Sequence, residues 1–198
     1  PRLEGGHRQL WTWERGDDGY VYVLSTGFQR DKGVILMRVR EEHLADPDTG
    51  HWQTFGHRKG AWGWGNPTTI VLPGRIGEMY LRRCEDFWTL TYFNAEHYRI
   101  DCLSFPFIGA DLMDRSVTAH TTLLPGCAWG DESDGIDPAT GPARVAQLYC
   151  GCPVPGSTPE QWHVVVSQWN THDSAAGPAG WPYRSMQFVG SIPRPPGR

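Results

Sequence analysis

Cleavage of a glycosidic bond needs two carboxyl groups at a fixed separation, one to protonate the departing oxygen and one to act as base or nucleophile. Glu78 is the acidic residue best placed for such work. It follows Gly77 at the entrance of the strand-like run Gly77 to Arg83, where a side chain can be directed into a central hollow. The plainer reading makes it a strand-end residue paired with Arg82 or Arg83. Asp31 is the second candidate, in the loop Gly27 to Gly33, although a charged hairpin loop is commonly just solvated. Its neighbour Arg30 presents a planar fork of donors that suits a carboxylate or sugar hydroxyls. Two further aromatics stand in the glycine-rich stretch Trp62-Gly63-Trp64-Gly65-Asn66, read as a loop. They either stack on sugar faces or anchor the loop into the body of the protein.

Other chemistries find little support. There is no glycine-rich phosphate loop, G-x-S-x-G elbow or H-E-x-x-H metal helix. His43, His57 and His97 stand singly in polar stretches and read as surface residues. The five cysteines, Cys84, Cys102, Cys127, Cys150 and Cys152, lack C-x-x-C spacing, so they read as small core or edge thiols with at most one disulfide. No metal centre and no cofactor are therefore expected. A net charge of -4, with the basic residues scattered, gives no footprint for nucleic acid. No run of about 18 apolar residues and no basic-then-apolar leader is present, so no membrane span is expected.

The elements that must position these residues follow from composition. The 198 residues include 24 Gly, 16 Pro and 10 Trp, a mixture that favours many short strands and turns over long helices. A strand unit recurs three times. In the middle copy Gly77 to Arg83, Phe87 to Phe93 and Tyr98 to Phe105 follow one another across short turns. In the first, His7 to Glu14, Tyr20 to Thr26 and Gly33 to Val39 do the same, with Trp52 to Phe55 as an outer strand. In the third, Arg144 to Cys150 leads through Pro153 to Glu160 into Trp162 to Trp169, and Tyr183 to Val189 returns. The second strands are rich in Val, Tyr, Trp and Thr, as a half-buried pleated surface requires. The fold class is accordingly all-β, most simply β-propeller blades with long inter-strand loops. Residues 1–192 form the blades and residues 193–198 a Pro-rich tail that is disordered or extended. The stretch Pro106 to Pro142 reads as a long loop. Three units do not close a ring, since propellers need four to eight blades. An unclosed edge would leave backbone donors and acceptors unpaired, so further blades are expected on the N-terminal side, an open three-sheet array being the alternative.

Three segments together, Tyr20 to Val39, Gly77 to Asn94 and Gln147 to Phe188 with its VSQWN and PYRSMQF, resemble an actinobacterial and mycobacteriophage family long catalogued as a domain of unknown function. Its characterised members are endo-D-arabinanases acting on mycobacterial arabinogalactan and lipoarabinomannan. The resemblance implies a five-bladed propeller in full, with its later blades here and a funnel lined by acidic residues. It implies that Glu78 is a funnel carboxylate, and that Arg30, Asn94, Gln147 and Gln168 lie near the sugar. The early family segment that supplies another acidic residue has no counterpart, so the companion carboxylate is expected from a further blade or from Asp31. Where relatives commonly read Tyr-Gly-Gly-Tyr, this chain has Tyr149-Cys150-Gly151-Cys152. The implied partner is cell-envelope arabinan, with virion tail proteins as further partners and an extracellular or virion location. A glycan-binding or structural module that cleaves nothing is the alternative.

Overall fold

The recurring strand unit is realised as three antiparallel sheets in the computed structural model, which describes residues 4–46, 48–127, 144–168 and 184–197. The first sheet runs β1 (Leu10–Arg15), β2 (Tyr20–Thr26), β3 (Val34–Arg40), β4 (Gln53–Arg58) and β5 (Ala61–Trp64), and β6 (Ile70–Leu72) adds to the free half of β3. The second contains β7 (Ile76–Arg83), β8 (Trp88–Asn94), β9 (Arg99–Phe105) and β10 (Ala119–Leu124) in chain order. A short parallel pair, β11 (Gly126–Cys127) with β12 (Val145–Ala146), leads to the third sheet: β13 (Leu148–Pro153), β14 (Trp162–Gln168) and β15 (Arg184–Gly190).

Two expectations change here. Trp62-Gly63-Trp64 is not a loop but strand β5, in register with β4. Within Pro106 to Pro142, residues 119–124 form β10, the outer strand of the second sheet. The acidic run Asp131 to Asp134, Trp169 and Tyr183 lie outside the described residues. The segment after β15 is extended and docked: Ile192 is buried, and Arg194 pairs with Asp86 at 3.1 Å.

The sheets stack face to face, and side-chain alternation assigns each strand's residues to one neighbour or the other. Tyr22, Leu24, Leu36 and Phe55 of the first sheet meet Leu81, Leu90, Leu103 and Phe105 of the second in one buried cluster. On the opposite face of the second sheet, Phe93 and Ile100 pack with Leu148 and Val166. Nearby, Phe87 and Cys102 pack with Trp162 and Val164 of the third sheet. Strand β8 is thus covered on both faces, and every residue from Trp88 to Phe93 is buried. Even Thr89 and Thr91, the polar members of the alternating segment WTLTYF, are fully buried.

The first strand of each sheet lies along one seam. Strand β1 packs beside β7, and β7 beside β13. The Leu81 amide donates to the buried Thr12 hydroxyl at 2.7 Å, tying β7 to β1. Arg82 donates to the Pro153 carbonyl at 3.2 Å, tying β7 to β13.

A polar cluster closes the β8–β9 hairpin. Asp101 is fully buried and accepts from Asn94 at 2.9 Å, Arg99 at 2.9 Å and Thr122 at 2.8 Å, with His120 at 3.3 Å. Burial alone would raise its pKa, but the bonds from His120, Asn94, Arg99 and Thr122 outweigh it and hold the group at about 2. Because the folded value lies below the ordinary 3.8, the unfolded chain binds more protons between these values. The stabilisation is complete above about pH 4 and fades as pH falls towards 2, a loss on the order of 2 kcal/mol. Urea titrations at stepped pH should show this slope in the parent and a flatter one in Asp101→Asn. Equal slopes would remove Asp101 from the acid response.

Candidate functional site

At the start of β7 the pairing register slips. Ile76 stands opposite Asn94, but the next paired residue, Met79, stands opposite Tyr92, so Gly77 and Glu78 together face Phe93. This is a β-bulge, which bends a strand and re-aims a side chain. Gly77 makes it possible. A Cβ there would lie 2.8 Å from Phe93 Cδ1 and 3.0 Å from Arg30 Cδ. The glycine leaves room for the arginine stem to cross the strand.

Arg30 comes from the loop between β2 and β3, which is anchored on β7 by the Ile76 amide donating to the Lys32 carbonyl at 3.1 Å. Its Nη2 donates to Glu78 Oε1 at 2.7 Å, and its Nε reaches Oε1 at 3.1 Å and Oε2 at 3.2 Å. The guanidinium carbon lies 4.8 Å from the centre of the Tyr149 ring on β13. Arg30 therefore bridges all three sheets. Burial pulls its pKa down, but the Glu78 carboxylate more than offsets this, and the value ends above its ordinary one. The Glu78 side chain is 14% exposed. Its partner is neither arginine offered by sequence proximity: Arg83 pairs with Asp17, and Arg82 bonds the Pro153 carbonyl.

Strand β13 repeats the device. Cys150 and Gly151 together face Val166, and Cys150 takes a positive φ of 68°. A Cβ on Gly151 would lie 2.8 Å from Ile100 Cγ2. This bulge brings the Cys150 Sγ to 2.7 Å from the Tyr80 hydroxyl. Burial, followed by the contact with Cys150, raises the Tyr80 pKa well above its ordinary value. None of the five cysteines is in a disulfide.

Beside this cluster a groove of about 280 Å³ runs along β1 and β7, lined by Trp11, Trp13, Tyr80 and Arg82 among others. Trp11 and Trp13 are 50% and 53% exposed. The sequence reading missed both because they stand in an ordinary aromatic strand, and it met Tyr149 only as part of the departure Tyr149-Cys150-Gly151-Cys152. The usable signal was an isolated glycine within a strand pattern, Gly77 and Gly151, which marks bulges.

The other sequence candidates disperse. Asp31 adjoins Arg30 in the loop docked on β7, half exposed, with Lys32 Nζ at 3.7 Å. Gln147 leads into β13 with a positive φ of 52°, its amide donating to the Cys127 carbonyl at 2.8 Å. Asn94 caps the β8–β9 turn, its Oδ1 accepting from the Glu96 and His97 amides. Gln168 is buried and donates to the Ala146 carbonyl at 3.0 Å. Trp64 packs against Tyr22 and Phe55 in the core. Trp62 is exposed on the outermost strand, stacked on Phe55 at 5.5 Å, and lines a separate cleft with Val71 and Asp111. The structure thus joins Glu78 to Arg30 with Asp31 alongside, sets Asn94 opposite Ile76 at the start of β7 and Gln168 opposite Leu148 at the start of β13, next to Gln147, and leaves Trp62 and Trp64 out on β5. His43 is not solitary either; its ring stacks on that of His51. Among the described residues no helix is long and apolar enough to cross a membrane.

Stacked antiparallel sheets whose first strands meet along one seam place the molecule among all-β proteins. A solved structure of a provisionally assigned hydrolase from Bacteroides ovatus superposes with a TM-score of 0.56 at 16% identity, over 90% of this chain and 43% of that one. The chain belongs to the family described as domain of unknown function DUF4185, whose model matches residues 4–189. It is 30% identical over 171 residues to an uncharacterized 35.9 kDa protein of Mycolicibacterium smegmatis, covering 86% of this chain and 47% of the relative. It is 31% identical over 189 residues to notoamide biosynthesis cluster protein J' of Aspergillus versicolor, covering 93% of this chain and 46% of the relative. The chain thus spans about half the length of these curated relatives.

The close fit of the Arg30 stem over Gly77 predicts the effect of one added methyl group. Gly77→Ala should cost about 1–3 kcal/mol by overpacking against Phe93 and Arg30. Chemical denaturation would measure the loss, and a change under about 0.5 kcal/mol, the ordinary surface value, would mean the strand relaxes freely.

Proposed function

We propose that this chain is the sugar-cleaving module of a glycoside hydrolase of propeller form, acting on arabinan of the mycobacterial or actinobacterial cell envelope. It works outside the cell, on a secreted protein or a phage tail. The observation that carries this reading is the groove along β1 and β7, where two exposed indoles adjoin a strand whose bulge turns a carboxylate towards three converging sheets. Exposed indoles offer flat apolar faces for sugar rings, and the bulged carboxylate offers negative charge to the oxocarbenium-like centre that forms as a glycosidic bond breaks. The Bacteroides ovatus neighbour, itself provisionally assigned as a hydrolase, agrees with hydrolysis as the reaction type.

Both Glu78 oxygens already accept from Arg30, which suits a nucleophile or charge stabiliser better than a proton donor. The proton donor is then Asp31 or a residue outside this chain. Arg30 holds the carboxylate in one rotamer, and a guanidinium resting on Tyr149 resists displacement by incoming hydroxyls.

The same clamp favours a second reading. A carboxylate fully engaged by a guanidinium also fits a module that holds glycan in the groove without cutting it.

Incubation of the parent and Glu78→Gln with mycobacterial arabinan separates the two. A hydrolase releases oligosaccharides from the parent, with the variant slower by a factor of about 10² or more. Retention of arabinan by both chains, with product from neither, supports the binding module. Equal product from both would exclude Glu78 from the chemistry.

A further inference from the structure

We infer that the segment between β3 and β4 carries a binding site for one zinc-class divalent ion, formed by His43, Asp46 and His51. These residues each offer one ligand atom, and the three atoms lie within 4.8 Å of one another. The imidazole rings of His43 and His51 are stacked at 3.8 Å with an interplanar angle of 4°. Asp46 Oδ2 faces both, at 3.8 Å from His43 Nδ1 and 3.6 Å from His51 Nε2.

Two tight turns produce this convergence. Residues Glu41–His43 and Thr49–His51 each form a single 3-10 turn, closed by the Leu44 amide on the Glu41 carbonyl and the Trp52 amide on the Thr49 carbonyl. Asp46 is itself oriented. Its Oδ1 accepts from the Asp48 amide at 2.8 Å, which leaves Oδ2 turned to the rings. Asp48 Oδ1 in turn accepts from the Gly50 amide at 2.9 Å and fixes the turn that carries His51. On the far side of His43, Glu42 Oε1 stands 3.6 Å from Nε2, the place where a second carboxylate orients a metal-bound imidazole.

Two imidazoles and one carboxylate form a nitrogen-rich set that suits zinc, cobalt, nickel or copper and disfavours the all-oxygen cations calcium and magnesium. Bonds of about 2.0–2.1 Å in a tetrahedral site place ligand atoms about 3.3 Å apart. The two separations from Asp46 Oδ2 exceed this by only a few tenths of an ångström. Parallel rings direct their lone pairs side by side, so closure on an ion requires each ring to turn about its Cβ–Cγ bond. Both side chains are partly exposed and free to do so. Three protein ligands leave a fourth position for water or an external donor. Filled, the site would pin both turns of the segment together next to Trp52, which packs on Val21, Val23 and Met37.

The test uses the intact chain, stripped with a chelator and dialysed. Titration with zinc followed calorimetrically should show one equivalent bound by the parent and none by the double variant H43Q/H51Q. Glu42→Gln should weaken binding by about tenfold, as loss of an outer partner does. The cobalt-loaded parent should lack the thiolate charge-transfer absorption that its cysteines would generate. Equal thermal midpoints of parent and double variant in chelator would attribute the lost binding to the ligands rather than to unfolding. Failure of the parent to take up zinc, uptake retained by the double variant, or a thiolate band with cobalt would each overturn the site.

Discussion

The structure depends on the burial of the second sheet between its two neighbours. Leu81, Leu90, Leu103 and Phe105 face one side, while Phe93, Ile100, Phe87 and Cys102 face the other. Fully burying each large apolar side chain contributes about 1.5–3 kcal/mol, so these two interfaces dominate the favourable side of folding. They also fix the site. The three sheets, pressed together face to face, lay their first strands along one seam, and what projects from that seam shares one small space.

That geometry gives the two bulges their meaning. A regular β7 would keep strict alternation from Ile76 to Arg83 and point Glu78 wherever the pleat dictated. Two residues opposite one break the alternation locally, and the break falls where Arg30 arrives from the first sheet and Tyr149 from the third. The ion pair between Arg30 and Glu78 spans 48 residues of sequence and is two-thirds or more shielded from water. It fixes one carboxylate orientation at the junction, which a solvated surface pair would not do. The cysteines of β13 occupy the equivalent place one sheet along, so neighbouring inner strands present different chemistry on the same backbone device.

Much of the fold was legible in the sequence. The run Tyr20 to Thr26 matches β2 at both ends, because alternating Val and Tyr between glycine-rich turns leaves little else for it to be. Strand β5 was misread since Gly63 and Gly65 punctuate the two tryptophans, although the pairing with β4 tolerates Gly63 inside a strand. Strand β10 was hidden in a stretch dominated by Pro, Gly and Asp, with His120, Thr121 and Thr122 giving weak alternation. Of the site, Glu78 and Arg30 were each visible from residue type, but their pairing was not. Periodicity reports a side chain's own face, whereas a contact between sheets depends on how loops dock, and the nearer arginines at 82 and 83 offered a local partner. The stacking of His43 on His51 was hidden in the same way. It arises from two successive 3-10 turns, which carry no hydrophobic period.

Arg30 occupies a left-handed backbone conformation, φ 57°, which glycine or asparagine adopts at lower cost. Backbone energy and side-chain chemistry therefore make opposing demands on one codon. Drift toward glycine would relax the loop and strip the junction of its guanidinium, leaving Glu78 buried without its counter-charge. Relaxing the backbone gains about 1–2 kcal/mol, whereas a buried carboxylate left without its partner costs about 3–5 kcal/mol, so stability itself holds the arginine in place while Glu78 is present.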